Sequence, residues 1–216
     1  PTFLPSVIGA LGEADAEVRQ CAAYGCGAAC RWGGALFDAG APHALQGLFQ
    51  MLAAEGAQEE ENGAATDNAA AAVLKCCLYR PDLAVPARLM GPLLGHLPLR
   101  WDLEEAHDAH ARLVDMIADG NKDVIGENFA NLPSIMVFLA EIMKFQEPED
   151  GEEMYPSDEE LWAAQLVTRA TRLKAQETLA RMNTLIPVEI MKNAFSQLND
   201  EQKCALQMPT ELFRVA

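Results

Sequence analysis

Five prolines set the rhythm of this chain. Pro5, Pro42, Pro86, Pro133 and Pro187 each stand near the start of a segment with helical periodicity, at spacings of 37, 44, 47 and 54 residues. Proline suits a first helical turn, because the N–H it lacks would be unpaired there anyway. Each of these segments is followed by a turn and a second, longer helical segment. The second segments are expected to begin near Ala16, Thr66, Asp102, Ser157 and Asn199. Ser157 with Glu160 has the S-x-x-E form of a capping box, and Asn199 with Gln202 is a looser version. A helical pair repeating every 40 to 47 residues or so is the period of HEAT and armadillo arrays. One such pair cannot bury its apolar face alone, so neighbours must stack. The expected fold is therefore all-α, a superhelical solenoid fragment of about five HEAT-like hairpins at 1–35, 36–82, 83–121, 122–184 and 185–216. Acidic loops are expected at 54–62 and 147–160. The first helix has no polar cap before it, which suggests further repeats upstream.

Period-2 alternation is absent and β-branched residues are sparse, so no strand is expected. In "DAEVRQCAAYGCGAACRWGG" (15–34), Val18, Cys21, Ala22, Gly25 and Ala29 fall on one narrow helical face. Leu103, Ala106, His107, His110, Leu113, Val114 and Ile117 do the same further on. Half of the residues are hydrophobic, enough for a core. No uncharged run approaches the 18 or more apolar residues of a membrane span, and membrane insertion is not expected. The start lacks the basic region of a signal peptide and reads as a piece of a longer chain.

Lys and Arg number 16 against 32 Asp and Glu, a net charge of −16. Such a field repels nucleic acid and anionic membrane and attracts basic partners. Residues 147–160 alone hold eight of the acids, and 161–216 are mildly basic. One charged row is a candidate contact surface. Glu104, Asp108, Arg112, Asp115 and Asp119 step by three and four along one helix, with Glu105 beside them, and Asp108 and Arg112 can pair at i, i+4. The candidate basic-partner contacts are Glu104, Glu105, Asp108 and Asp115. An ordinary solvated face has the same pattern. On 157–183 the corresponding exposed row is Gln165, Arg169, Arg172 and Gln176, able to salt-bridge a neighbouring repeat.

The six cysteines (21, 26, 30, 76, 77 and 204) do not read as a disulfide framework. Cys26 and Cys30 share a helix face at i, i+4, but there is no C-x-x-C and no histidine near them, as structural zinc would want. They read as small buried hydrophobes, with Gly25 and Gly27 admitting a close neighbour. His107 and His110 with Glu104 give E-x-x-H-x-x-H, a conceivable metal set. Both lie on the apolar stripe, where packed, hydrogen-bonded rings are the commoner outcome. No P-loop, G-x-S-x-G or G-x-G-x-x-G is present. No enzyme activity and no cofactor are expected.

Four segments resemble one family. "EVRQCAAYGCGAACRWGG" (17–34), "ATDNAAAAVLKCC" (65–77), "LPLRWDLEEAHDAHARLVDMI" (97–117) and "NLPSIMVFLAEI" (131–142) are similar, in this order, to segments of the importin-beta nuclear transport receptors, and specifically of the importin beta-three branch. His107 and His110 stand where that family tends to have larger apolar or aromatic residues. The resemblance implies the last few HEAT repeats of an import receptor that shuttles between cytoplasm and nucleus. Implied partners of the full receptor are basic cargo proteins, Phe-Gly nucleoporins and Ran-GTP. It also makes Asp15, Val18 and Arg19 a HEAT ladder position, where a buried or inter-repeat Asp–Arg pairing is expected. The alternative is a HEAT scaffold outside transport, or an assembly chaperone.

Overall fold

The computed structural model describes residues 3–144 and 158–206, and all regular structure among them is helical. The expected all-α helical-repeat class is the one observed. Short helices that open on proline alternate with longer ones. In chain order they are α1 (Leu4–Ala10), α2 (Ala16–Trp32), α3 (Ala35–Asp38), α4 (Ala41–Leu52), α5 (Glu60–Tyr79), α6 (Pro81–Ala84), α7 (Pro86–Leu94) and α8 (Leu103–Ala118). Then follow α9 (Lys122–Ile125), a 3-10 turn (Glu127–Phe129), α10 (Leu132–Met143), α11 (Asp158–Ala163), α12 (Arg169–Leu185), α13 (Val188–Ser196) and α14 (Asp200–Ala205). Pro5, Pro42, Pro86 and Pro133 occupy the first turns of α1, α4, α7 and α10, and Pro187 is the cap of α13.

The chain divides into two compact units, Pro1–Ala109 and His110–Ala216. The first is built around α5. Thirteen of that helix's residues are buried, including the unbroken run Ala65–Leu74. A helix apolar on every side belongs in an interior, and α5 packs against α2, α4, α6 and α7. The second unit is built around α10, which buries Leu132, Ile135, Met136, Phe138, Leu139, Ile142 and Met143 and meets α12, α13 and α14.

Four local outcomes differ from expectation. Helix α5 starts at Glu60, a turn and a half before Thr66. Part of the acidic stretch at 54–62 is thus its first turn, where carboxylates meet the positive end of the helix dipole. The buried face of α2 is Ala22, Ala23, Cys26, Gly27 and Cys30. It is rotated from the expected face, so Val18 and Cys21 are exposed. The smallest side chains, not the most apolar, decide which face meets α5. The expected helix over 157–183 is two helices, with α12 capped afresh by Thr168, whose Oγ1 accepts from Thr171 N at 3.2 Å. Gln165 lies in that break and is buried, not part of an exposed row. Asn199 and Gln202 form a full capping box. Of the acidic loop expected at 147–160, residues 158–160 belong instead to α11, and the remainder, with the Ser157–Glu160 box, lies outside the described residues or side chains.

Candidate partner-binding face

The sequence ladder at α2 is built differently from the expected pairing. Asp15 is exposed and spends Oδ1 on its own helix, accepting from Glu17 N at 2.8 Å and Val18 N at 3.2 Å. Arg19 turns the other way. Its Nη1 donates to the carbonyls of Glu13 and Ala14 at 2.8 and 2.6 Å, and its Nη2 to Asn62 Oδ1 at 2.5 Å. Asn62 opens α5, so this rung joins the first hairpin to the second through an amide. The buried or inter-repeat Asp–Arg pairing expected at this ladder is thereby corrected: Asp15 caps its own helix, and Arg19 makes the inter-repeat contact to an amide, Asn62.

A second rung lies deeper. Asp67, buried in α5, accepts on Oδ2 from the backbone N–H groups of Arg100, Trp101 and Asp102 at 2.8, 2.5 and 2.9 Å. Burial raises its pKa from the usual carboxylate value, and the three N–H bonds pull it back only in part. Asp102 in turn takes Asn68 Nδ2 at 2.8 Å and Gln20 Nε2 at 3.5 Å on Oδ2, while its Oδ1 caps Glu105 N. Gln20 on α2, Asn68 on α5 and Asp102 before α8 are thus tied together. Trp101 lies across α5 where a Cβ at Gly63 would collide with its indole ring.

The four candidate contact residues separate by environment. Glu104 is exposed and Asp108 half-buried. Glu105 is only 9% exposed. Both its oxygens face Lys75 Nζ, at 2.9 and 2.6 Å, and the same ammonium lies 5.4 Å from the Tyr24 ring centre. Lys75 on α5 therefore gathers α2 and α8 around one buried charge pair. In the second unit Asp115, about half exposed, pairs with Lys174 of α12. That ion pair joins α8 to α12 through Lys174, a residue outside the row expected to make such a bridge.

The histidines fall on different surroundings. His110 is fully buried, its Nδ1 within 2.8 Å of the Leu166 carbonyl and its ring edge-on to Phe138 at 5.4 Å. The carbonyl it uses is one that the break before α12 releases from helical bonding. His107 is half-buried. Among the described residues no group of three or more His, Cys, Asp or Glu side chains is arranged to hold a metal ion. No helix among them is long and apolar enough to cross a membrane.

At the far end of the α2–α5 seam, Arg31 stacks on Trp32 at 4.7 Å and on Tyr79 at 5.0 Å. Trp32 is 75% exposed. Arg80, just past α5, pairs with Asp38 and Asp82 and donates to the Gly34 carbonyl at 3.0 Å.

No family model matches the sequence. Human Importin-4 is 32% identical over 103 residues, which are 48% of this chain and 9% of that protein's length. That likeness and the succession of helical hairpins fit a HEAT-repeat fragment of the importin-beta family.

Lys75, Asn62, Asp67 and Asp102 carry the polar framework; sequence reasoning named Asp102 only as a helix start and did not single out the other three. A signal was present. Thr66, Asp67, Asn68 and Lys75 interrupt a stretch, 64–78, otherwise made of alanine, valine, leucine and cysteine. Polar side chains inside a helix buried on all sides must each have a partner.

Proposed function

We propose that this chain is a HEAT-repeat portion of a nuclear import receptor, without enzymatic activity, and that its acidic surface receives a lysine- and arginine-rich segment of a cargo protein. The likeness to Importin-4 carries the reading. The net charge of −16 supports it, since a field of that sign raises the encounter rate with basic partners and disfavours anionic ones. Within the first unit, Glu104, which is exposed, and Asp108, half-buried one turn further along the same helix, are the contact carboxylates. Glu105 supports them from below through Lys75 and is not itself a contact. Ran-GTP, Phe-Gly nucleoporins and shuttling between cytoplasm and nucleus belong to the same proposal at the level of the full receptor. The beta-three branch is proposed on the four segments quoted above.

The test uses the full receptor. Capture of Ran-GTP separates a transport receptor from a passive HEAT scaffold or assembly chaperone. Binding of a basic cargo is then compared between the parent and a Glu104→Ser, Asp108→Ser variant at low and physiological salt. The expected result is a several-fold weaker Kd for the variant at low salt, with the gap closing as salt screens the surface. An unchanged Kd at low salt removes these two residues from the contact.

A further inference from the structure

The seam between α2 and α5 places two buried thiols against each other. Gly27 sits on α5 between Ala72 and Lys75: a Cβ there would lie 3.3 Å from Ala72 Cα and 3.1 Å from Lys75 Cδ. One turn further along α2, Arg31 meets Tyr79, one turn beyond Lys75. The two helices therefore run in the same direction and advance in step. Cys30, just before Arg31, falls opposite Cys76, one turn beyond Ala72. Both are 1% exposed. Ordinary helix axes pack about 8–10 Å apart. A seam of glycine and alanine is tighter, and brings facing residues toward the roughly 4.4–6.8 Å between Cα atoms that a disulfide spans.

We propose that Cys30 and Cys76 are a redox-sensitive pair, closed by a small thiol oxidant such as a hydroperoxide into a cystine that staples the first hairpin to the second. With hydrogen peroxide, the Cys30 thiolate attacks one oxygen, the O–O bond breaks, and the other oxygen leaves as hydroxide that takes up a proton to become water. Cys30 is then a sulfenic acid. The Cys76 sulfur attacks the Cys30 sulfur, the S–O bond breaks, and the hydroxyl departs with the Cys76 proton as a second water. Two thiols lose two electrons and two protons in total. The order of events follows from the surroundings. The hydrogen bond from Cys76 lowers the Cys30 pKa against the effect of burial, and the Arg80 charge adds to it. Cys76 is raised, and burial pushes Cys26 up to about 11. Thiolate is the nucleophile in such exchange, so Cys30 reacts first.

The full chain carrying Cys21→Ser and Cys204→Ser, which removes the two exposed thiols, is treated with diamide in native buffer, quenched, unfolded and titrated. The free-thiol count is expected to fall from four to two, with a higher Tm that reductant reverses. Adding Cys30→Ala or Cys76→Ala should leave three thiols unreacted, while Cys77→Ala should still lose two. Four thiols surviving oxidation, or loss of two in the Cys30→Ala protein, overturns the proposal. Should an alanine variant fail to fold, fragment mass spectrometry of the oxidised parent decides. A Cys30–Cys76 cross-link upholds the pair, and any other linkage, or none, refutes it.

Discussion

Lys75 shows how one residue can hold several helices without any exposed salt bridge. Its ammonium is shared by both oxygens of Glu105 and the face of Tyr24, with side-chain exposures of 14% for Lys75 and 11% for Glu105. A buried pair is costly to break on one side, because the remaining charge has no water to return to. Lys75→Met is expected to destabilise the chain by about 3 kcal/mol, and Lys75→Met with Glu105→Leu to recover most of that loss. Urea unfolding of the two variants measures the difference. The exposed pair Lys174–Asp115 should behave otherwise, with Lys174→Ala leaving the urea midpoint nearly unchanged, since water and salt screen an exposed pair. Val85 is a second residue-scale case. It joins α6 to α7 at φ 50°, a left-handed conformation that strains a β-branched side chain. Val85→Gly is expected to raise stability by roughly 0.5–1 kcal/mol, read as a shift in urea midpoint with unchanged slope.

Asp38 gives a pH dependence of known sign. The Arg80 guanidinium beside it holds its carboxyl below the usual carboxylate value. Its contribution is therefore complete above the ordinary carboxylate range and is lost as pH falls through the lowered value. Stability of the parent should decline more steeply below about pH 4 than that of Arg80→Gln, as expected when a native-state carboxylate has the lower pKa.

At the scale of elements, the short helices were readable and the long ones only partly. Proline marks a helix start by geometry alone, so α1, α4, α7, α10 and α13 follow directly from the spacing. The start of α5 was missed because the acids at 59–61 read equally well as a loop or as a favourable first turn. The break between α11 and α12 was missed for a different reason. It is decided by long-range partners: Gln165, Leu166 and Val167 are buried and Leu166 offers its carbonyl to His110, and no local periodicity encodes that. The face of α2 followed size in place of hydrophobicity, which is why Val18 stands outside while Gly27 is buried. Gly27→Leu should wedge α2 from α5 and unfold or severely destabilise the first unit, whereas Gly9→Ala, with open space around it, should be neutral or mildly stabilising. Circular dichroism melts of the two proteins check both outcomes.

For the whole molecule, charge was the legible part and its local distribution was not. The excess of acids is a plain count, and it bounds the partners. The surroundings of each carboxylate depend on pairings across tens of residues, Lys75 with Glu105 and Lys174 with Asp115, that spacing along one helix cannot anticipate. The row at 104–115 looked uniform in the sequence and is not uniform in space.

The interior position of α5 has a consequence for the timing of motion. Its amides are hydrogen-bonded within the helix and screened by neighbours on every side, and its polar side chains tie down α2 and the start of α8. Opening it means dismantling the first unit. In deuterated water the amides of Ala69–Leu74 should exchange last in that unit, at a rate set by its global unfolding, while those of α1, which has no fully buried residue, should exchange through local fraying many times faster.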